Sequence, residues 1–276
     1  MADDKEVFGG HEASLFGTVG LRCVHGRDIV PILRIDEHQS RKIIELMEIA
    51  NRLHLLKRLY AFYEEFDQAY QPACRKGCAL CCTANVTMSS LEGVLIYNHW
   101  AAKGVTAPIE ALSDAAARPR FQPRMTINHL AALCARDEEL PEEAADPEVG
   151  RCPLLVDDLC SIYAVRPFGC RAMVSRIDCA KTGYADMPDE VLAANNLVLQ
   201  FIEAIDVNGL SGNLTDMLLF LSNPEHFGMC ERMEKLSPAD TLAGNRPIPV
   251  LMVPPEHQGR LQPLLHSIQQ MLRAHA

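Results

Sequence analysis

Apolar residues recur at helical spacing between Gln39 and Tyr70, with polar residues at the positions between them. This periodicity predicts one long amphipathic helix. Asp36 or Ser40 is suited to cap its start, and Pro72 is expected to end it because proline disfavours helical backbone in the preceding residue. The predicted buried stripe consists of Ile43, Met47, Ala50, Leu53, Leu56, Tyr60 and Tyr63.

A second helix is marked by the pattern Ser89-x-x-Glu92, in which the hydroxyl and the carboxylate satisfy each other's free backbone N–H groups. It is expected to follow an extended piece over Thr83–Met88 and to end at Gly104. Strand patterns are few, so the chain is predicted to be mainly α, an irregular helical domain with few short strands. Further helices are predicted near 108–118, 126–136, 188–207, 213–222 and 258–275.

The pattern divides the chain into three parts. Residues 1–38 hold five of the sixteen glycines and are predicted to form an irregular N-terminal arm. Residues 39–186 combine the long helix with most of the cysteines, and residues 187–276 are expected to form a helical region that packs on them. The strongly acidic segment 136–148 is predicted to be a solvated linker or loop.

Composition and charge indicate which partners the protein is expected to lack and in which compartment it is expected to be. The 276 residues are 48% hydrophobic and 22% charged, as in ordinary globular proteins. The net charge of −10 argues against nucleic acid as a partner, because such binding depends on neutralising phosphates with Lys and Arg. The sequence MADDKEV has no basic leader pattern, and no run of about 18 apolar residues suggests a membrane span. We therefore expect a cytoplasmic protein that does not enter a membrane.

Eleven cysteines are the unusual feature of this composition. A reducing cytoplasm disfavours structural disulfides, so a clustered set there is more typical of metal binding or catalysis. Cys23, Cys134 and Cys230 are isolated and are expected to be small buried hydrophobes. The predicted metal ligands are Cys74, Cys78, Cys81 and Cys82 in a first tract (residues 74–82) and Cys152, Cys160, Cys170 and Cys179 in a second tract (residues 152–179).

Local charge favours thiolate formation in these tracts. Residues 74–82 and 151–179 together carry a net charge of +3, whereas the remaining 238 residues carry −13. Basic neighbours lower the pKa of a thiol and offset the negative charge of a thiolate–metal centre. Tyr163, Arg166 and Arg171 are candidates for groups that contact such a centre from outside and tune it.

The two tracts together resemble the YkgJ family of cysteine-cluster proteins, described as a zinc- or iron-chelating domain. A flagellin lysine-N-methylase family carries a similar cysteine set. The resemblance covers roughly residues 70–180 and implies a metal centre, with a long insert of 69 residues between the tracts. It depends on Cys74-x3-Cys78-x2-Cys81-Cys82, Cys152-Pro153, Cys160-x-Ile162-Tyr163, Arg166-Pro167 and Cys170-Arg171.

Thiolate ligands suit both zinc and iron–sulfur clusters. Pro153 directly after Cys152 is typical of cluster sites, and the paired Cys-x2-Cys knuckles of zinc sites are not obvious, so we predict an iron–sulfur cluster of the 4Fe–4S type, with zinc or mononuclear iron as the alternative. Eight thiols suffice for two four-ligand centres, or for one centre with spare thiols.

The predicted role is redox, sensing or accessory, in company with a protein partner. Two alternatives remain open. One is an S-adenosylmethionine-dependent enzyme, either methyltransferase-like or a radical enzyme that uses the spacing Cys74-x3-Cys78-x2-Cys81. Radical enzymes of that kind resemble a barrel of alternating strands and helices, and this pattern is not evident after Cys82. The other alternative is a zinc-stapled interaction module.

Overall fold

The computed structural model describes residues 47–141, 143 and 149–274. The predicted arm 1–38, Cys23, the proposed cap at Asp36 or Ser40 and most of the acidic segment lie outside these residues. The helices are α1 (Ile49–Gln68), α2 (Ser90–Ala102), α3 (Ile109–Ala116), α4 (Ile127–Ala135), α5 (Phe168–Arg171), α6 (Cys179–Thr182), α7 (Asp189–Ile205), α8 (Leu214–Leu221), α9 (Pro224–Glu231) and α10 (Gln258–Arg273).

The strands are short, as predicted, and form two antiparallel sheets. One sheet has the order β1 (Thr87–Ser89), β4 (Leu210–Asn213), β5 (Leu242–Gly244), and Met88 lies opposite Gly212 in its register. The other sheet is a hairpin of β2 (Leu155–Val156) and β3 (Leu159–Cys160). The described residues are therefore mainly α with few short strands, which confirms the predicted fold class at this level.

The long first helix is shorter than its periodicity predicts. Met47 and Glu48 are not helical, and α1 begins at Ile49. Glu48 is extended at the N-cap, while the buried side chain of Arg52 turns back to donate from Nε to the carbonyl oxygen of Met47 over 3.3 Å. At the other end α1 stops at Gln68, ahead of a left-handed Gln71 with φ of 50° and Pro72. The predicted end is confirmed.

The capping box of α2 is confirmed in full. Ser89 Oγ accepts from the N–H of Glu92, and Glu92 Oε2 accepts from the N–H of Ser89. The five further helices predicted beyond Gly104 are also present as α3, α4, α7, α8 and α10. Helix α9 and the short helices α5 and α6 were missed. No helix among the described residues is long and apolar enough to span a bilayer.

Two apolar cores hold these elements together. Helices α1, α7 and α10 pack on one another in the first core, which also contains Phe168. Helices α2 and α8 with strand β4 build the second core, and Cys152, Cys160 and Cys170 pack at its margin. Cys152, Cys160 and Cys170 of the second tract are therefore placed where the second core meets solvent.

Candidate metal centre

The first tract begins where α1 releases the chain. After Pro72, the N–H of Ala73 donates to the carbonyl oxygen of Ser175 over 2.7 Å. The thiol of Cys74 faces the same stretch, with Sγ 3.9 Å from the carbonyl oxygen of Met173 and 4.0 Å from that of Ser175. The chain that follows α1 thus places Cys74 next to Met173 and Ser175 in the second tract.

Tight turns shape the rest of the first tract. The N–H of Cys78 donates to the carbonyl oxygen of Arg75 over 3.0 Å, and Gly77 between them has a φ of 90°, which favours glycine. A second turn places Cys82 N–H 3.1 Å from the carbonyl oxygen of Ala79. Cys74, Cys78 and Cys81 are exposed, whereas Cys82 is half-buried.

Backbone pairing joins Cys82 to the start of the second tract. The N–H of Cys152 donates to the carbonyl oxygen of Cys82 over 2.9 Å, Thr83 and Arg151 form an antiparallel bridge, and Ala84 N–H lies 2.8 Å from the carbonyl oxygen of Gly150. The long insert between the tracts therefore returns to its starting point, and the predicted meeting of the two tracts is present in the structure.

Cys160 reaches the same place through the β2–β3 hairpin. Its partner across the hairpin is Leu155, which follows Cys152 by three residues. Asp157 and Asp158 at the turn both have positive φ, 49° and 61°, which is the requirement of a type I′ turn and is tolerated by Asp. The turn brings Cys160 back alongside Cys152.

Cys170 is carried by the short helix α5, which a buried carboxylate fixes in place. Glu92 Oε1 accepts from the N–H of Phe168 and from the hydroxyl of Tyr60, both over 2.6 Å. The close approach of α5 to β1 requires Gly169, since a Cβ there would stand 2.6 Å from the carbonyl oxygen of Thr87. Glu92 was recognised from the sequence only as a helix cap, because its contact with α5 joins residues far apart in the chain.

Cys179 is held near Cys74 by a loop organised around Ser175. The Ser175 hydroxyl donates to the carbonyl oxygen of Ile177 over 2.9 Å and accepts from the N–H groups of Ile177 and Asp186. The thiol of Cys179 in turn lies 3.7 Å from the carbonyl oxygen of Ile177. Ser175 was missed by the sequence analysis, and nothing in its neighbourhood marks it as a loop centre.

The electrostatic neighbours of the thiols fall into two sets. Burial raises the pKa of Cys74, and the thiols of Cys81, Cys179 and Cys78 raise that pKa further. We call Cys74, Cys78, Cys81 and Cys179 the outer set. A hydrogen bond from Cys81 lowers the pKa of the adjacent Cys82 thiol, while three other cysteines oppose that lowering. Those three, Cys170, Cys152 and Cys160, form with Cys82 the inner set.

Within the inner set, burial favours the protonated thiol. It raises the pKa of Cys152 to about 11 and raises the pKa of Cys170 well above its ordinary value. Burial raises the pKa of Cys160 as well, and the guanidinium of Arg166 opposes the raise at Cys160 and Cys170 without cancelling it. A thiolate-binding metal displaces these protons when it binds, so metal affinity at such a site rises with pH.

The basic residues predicted to contact the centre behave differently from one another. Arg166 stacks on the ring of Tyr163, with Cζ 4.0 Å from the ring centroid, and its charge acts on the inner set as described. Arg171 is instead directed away toward α1, where it pairs with Glu64 and lies over the ring of Tyr60 at 4.3 Å. Its role is to fasten α5 to α1 rather than to donate to sulfur.

The donor chemistry fits a thiolate-ligated metal, although the sulfurs are not yet gathered around a point. None of the ten described cysteines forms a disulfide. Over the described part of the chain, no three His, Cys, Asp or Glu side chains already stand in an arrangement that could hold a metal ion. Cysteine has a single side-chain torsion with three staggered positions, so rotation about that bond is the movement that would bring the sulfurs together.

Cys134 and Cys230 lie outside both sets. They are 8% and 7% exposed, and Cys230 belongs to the second core. This confirms the prediction that they are buried, as small hydrophobes are, and Cys23 lies outside the described residues.

Comparisons of the chain with family models, with curated proteins and with solved structures find no match in any of the three. The resemblance to the YkgJ family therefore stays a prediction.

Proposed function

We propose that this chain is a metalloprotein whose eight tract cysteines bind an iron–sulfur centre, and that it serves electron transfer, redox sensing or an accessory role beside a protein partner. The observation that carries the proposal is the convergence of free thiols from two stretches separated by 69 residues. That convergence is built by specific backbone contacts, of which the bond from Cys152 N–H to the Cys82 carbonyl oxygen is the most direct.

The exposure of the thiols supports ligation over simple packing. A free cysteine that only fills space is among the most buried of residue types. Cys74, Cys78 and Cys81 are exposed instead, and so is Leu80 between them, at 58%. A tract of exposed thiols held by tight turns has no packing purpose, whereas turns of this kind allow neighbouring sulfurs to ligate one ion or cluster.

An iron–sulfur centre would supply one-electron transfer at this surface, and zinc would supply only structural cross-linking. The Cys152-Pro153 pair favours iron–sulfur, and the paired Cys-x2-Cys knuckles of zinc sites are not obvious, which is why we place iron–sulfur first. The described strands are short and antiparallel, unlike the alternating strands and helices of the barrel that radical S-adenosylmethionine enzymes resemble. This difference supports a non-catalytic role over a radical reaction.

Elemental analysis of anaerobically purified protein tests the proposal. We expect iron together with acid-labile sulfide and a brown colour that dithionite bleaches. Replacing Cys78 or Cys81 with Ser should lower the metal content, because each change removes a proposed ligand. Cys230→Ala is the matched control, since Cys230 is a buried cysteine outside both tracts, and it should retain the wild-type metal content.

Three results would contradict the proposal. A wild-type chain that binds neither iron nor zinc after anaerobic reconstitution would refute metal binding itself. Unchanged metal content in both Cys78→Ser and Cys81→Ser would show that the first tract does not ligate. A colourless protein with zinc and no sulfide would replace the iron–sulfur centre by the zinc-stapled module.

A further inference from the structure

We infer that the chain holds two separate four-sulfur centres, one formed by Cys74, Cys78, Cys81 and Cys179 and the other by Cys82, Cys152, Cys160 and Cys170, with the first more readily emptied than the second. This inference rests on the proposed function, and it assigns each cysteine to a centre. The division does not follow the order of the chain, because the last cysteine of the first tract belongs with the second tract and Cys179 belongs with the first.

The inner set is assembled by the fold itself. Cys82 and Cys152 are neighbours through a direct backbone hydrogen bond of 2.9 Å. The β2–β3 hairpin places Cys160 next to Cys152. Cys170 lies on α5, and Gly169 allows α5 to pack closely against β1. The three second-tract members of this set share contacts with the second apolar core, so one wall of this centre is packed protein.

The outer set is assembled by a different part of the backbone. The bond from Ala73 N–H to the Ser175 carbonyl oxygen places Cys74 beside the loop that leads to Cys179. The turn between Arg75 and Cys78 folds Cys78 back toward Cys74. None of these four cysteines belongs to either apolar core within the described residues.

Each of the two sets has the number of thiolates that one metal centre requires. Four thiolates are the full set for a structural zinc ion and for a 4Fe–4S cluster. Each set supplies four sulfurs. The backbone contacts group Cys82 with the three inner cysteines of the second tract and group Cys74 with Cys78 and Cys179, which leaves Cys81 as the fourth sulfur of the outer set. The contact that crosses the division is the one between the adjacent residues Cys81 and Cys82.

The two centres should differ in how readily they lose metal. Three of the outer cysteines are exposed, whereas all four inner cysteines are partly buried. A chelator must reach the metal and compete for it, so the outer centre should empty first. Leu80, next to Cys81, is 58% exposed, and Leu159, whose Cδ2 lies 3.8 Å from where a Cβ on Gly77 would stand, is 52% exposed.

Metal stoichiometry in matched variants tests the inference. The wild-type chain should bind about two zinc ions, or about eight irons if both centres are 4Fe–4S clusters. Cys179→Ser and Cys160→Ser should each retain about half of the wild-type content, and the double variant should retain almost none. In the wild-type chain, EDTA should remove metal in two phases of similar amplitude, and the fast phase should be missing from Cys179→Ser.

The outcomes separate this inference from the proposed function. Complete loss of metal in Cys179→Ser, with a wild-type chain that binds metal in a single phase, would establish one shared centre and overturn the division while leaving the proposed function intact. Full retention in Cys179→Ser would remove that residue from the ligands and also overturn it. A wild-type chain without metal would refute both. If Cys160→Ser does not fold, Cys179→Ser and the wild-type chelation phases decide the question.

Discussion

The two cysteine sets differ in what holds them before any ligand binds. The inner set is held by the Thr83–Arg151 bridge, by the β2–β3 hairpin and by α5, which the buried carboxylate of Glu92 fixes in place. The outer set is held by turns at the surface, where the thiols of Cys74 and Cys179 lie 3.9 Å and 3.7 Å from the carbonyl oxygens of Met173 and Ile177. The comparison leads us to expect that the metal-free fold orders the inner set more than the outer set.

The largest expected loss of stability comes from removing the Glu92 carboxylate, which fixes the helix that carries Cys170 of the inner set. Glu92→Ala leaves the buried N–H groups of Ser89 and Phe168 and the hydroxyl of Tyr60 without their acceptor. We expect the free energy of unfolding of the metal-free chain to fall by about 3 kcal/mol or more, since each unsatisfied buried group costs about 1–3 kcal/mol. Denaturant titration measures it.

The control for this change is Glu110→Ala, which alters an exposed carboxylate in the first turn of α3. It should stay within about 0.5 kcal/mol of wild type. If Glu92→Ala behaves like Glu110→Ala, then α5 and the inner set do not depend on the carboxylate.

We expect the free energy of unfolding to depend on pH through the buried carboxyl of Asp206. Burial raises the pKa of the Asp206 carboxyl from 3.8 to about 7. The folded state therefore binds this proton more tightly than the unfolded chain does, so its contribution to stability is fully present below pH about 4 and is lost as pH rises through about 7. The slope is at most about 1.4 kcal/mol per pH unit.

Denaturation of the metal-free chain between pH about 5 and about 7 measures this slope. Asp206→Asn, which cannot titrate, should lower the slope by at most about 1.4 kcal/mol per pH unit. The part that comes from Glu203, whose pKa burial also raises to about 7, should remain, and Asp114→Asn on the exposed face of α3 should leave the slope unchanged. An Asp206→Asn slope equal to that of wild type would mean that the pH dependence arises elsewhere.

A smaller effect is expected where α5 meets β1. In Gly169→Ala the new Cβ would stand 2.6 Å from the carbonyl oxygen of Thr87, so α5 must move away from the sheet. We expect a loss of about 1–3 kcal/mol and a lower metal content, because Cys170 moves with α5. Gly259→Ala is the matched control, since a Cβ there meets nothing within 4 Å. Equal stability and metal content in the two variants would contradict the close packing of α5.

The smallest effect on stability is expected from the outer set. Cys78 is exposed, so Cys78→Ser in the metal-free chain should change the free energy of unfolding by no more than about 0.5 kcal/mol. Thermal unfolding with and without metal separates this small effect from the loss of ligation. A large destabilisation without metal would show that the outer set is also built by the fold.

Local patterns were enough to predict most helices, and the spacing of the cysteines grouped them into two tracts whose backbones meet at Cys82 and Cys152. The Ser89-x-x-Glu92 box and Pro72 each act within a few residues, and their outcomes match the sequence. Asn223-Pro224 is a comparable start pattern that the sequence analysis passed over, because α9 buries only Cys230 and has no clear apolar face.

The remainder depends on contacts between distant residues. Strand β4 reads Leu-Ser-Gly-Asn, a run without alternation, and becomes a strand because β1 and β5 pair with it. Gln200 looks like an exposed helix position, yet it accepts from the N–H of Met252 over 2.8 Å and is fully buried. The proposed grouping of Cys179 with Cys74 in the outer set also depends on such a contact, the one between Ala73 and Ser175.

Because Cys81 and Cys82 are adjacent in the chain, they would determine how electrons pass between the two proposed centres. Consecutive Cα atoms are about 3.8 Å apart, so two cofactors anchored at these neighbours would be separated by a single link of main chain. With both cofactors loaded, an electron delivered at the exposed outer centre would have a covalent relay to the half-buried inner centre, with no solvent to cross.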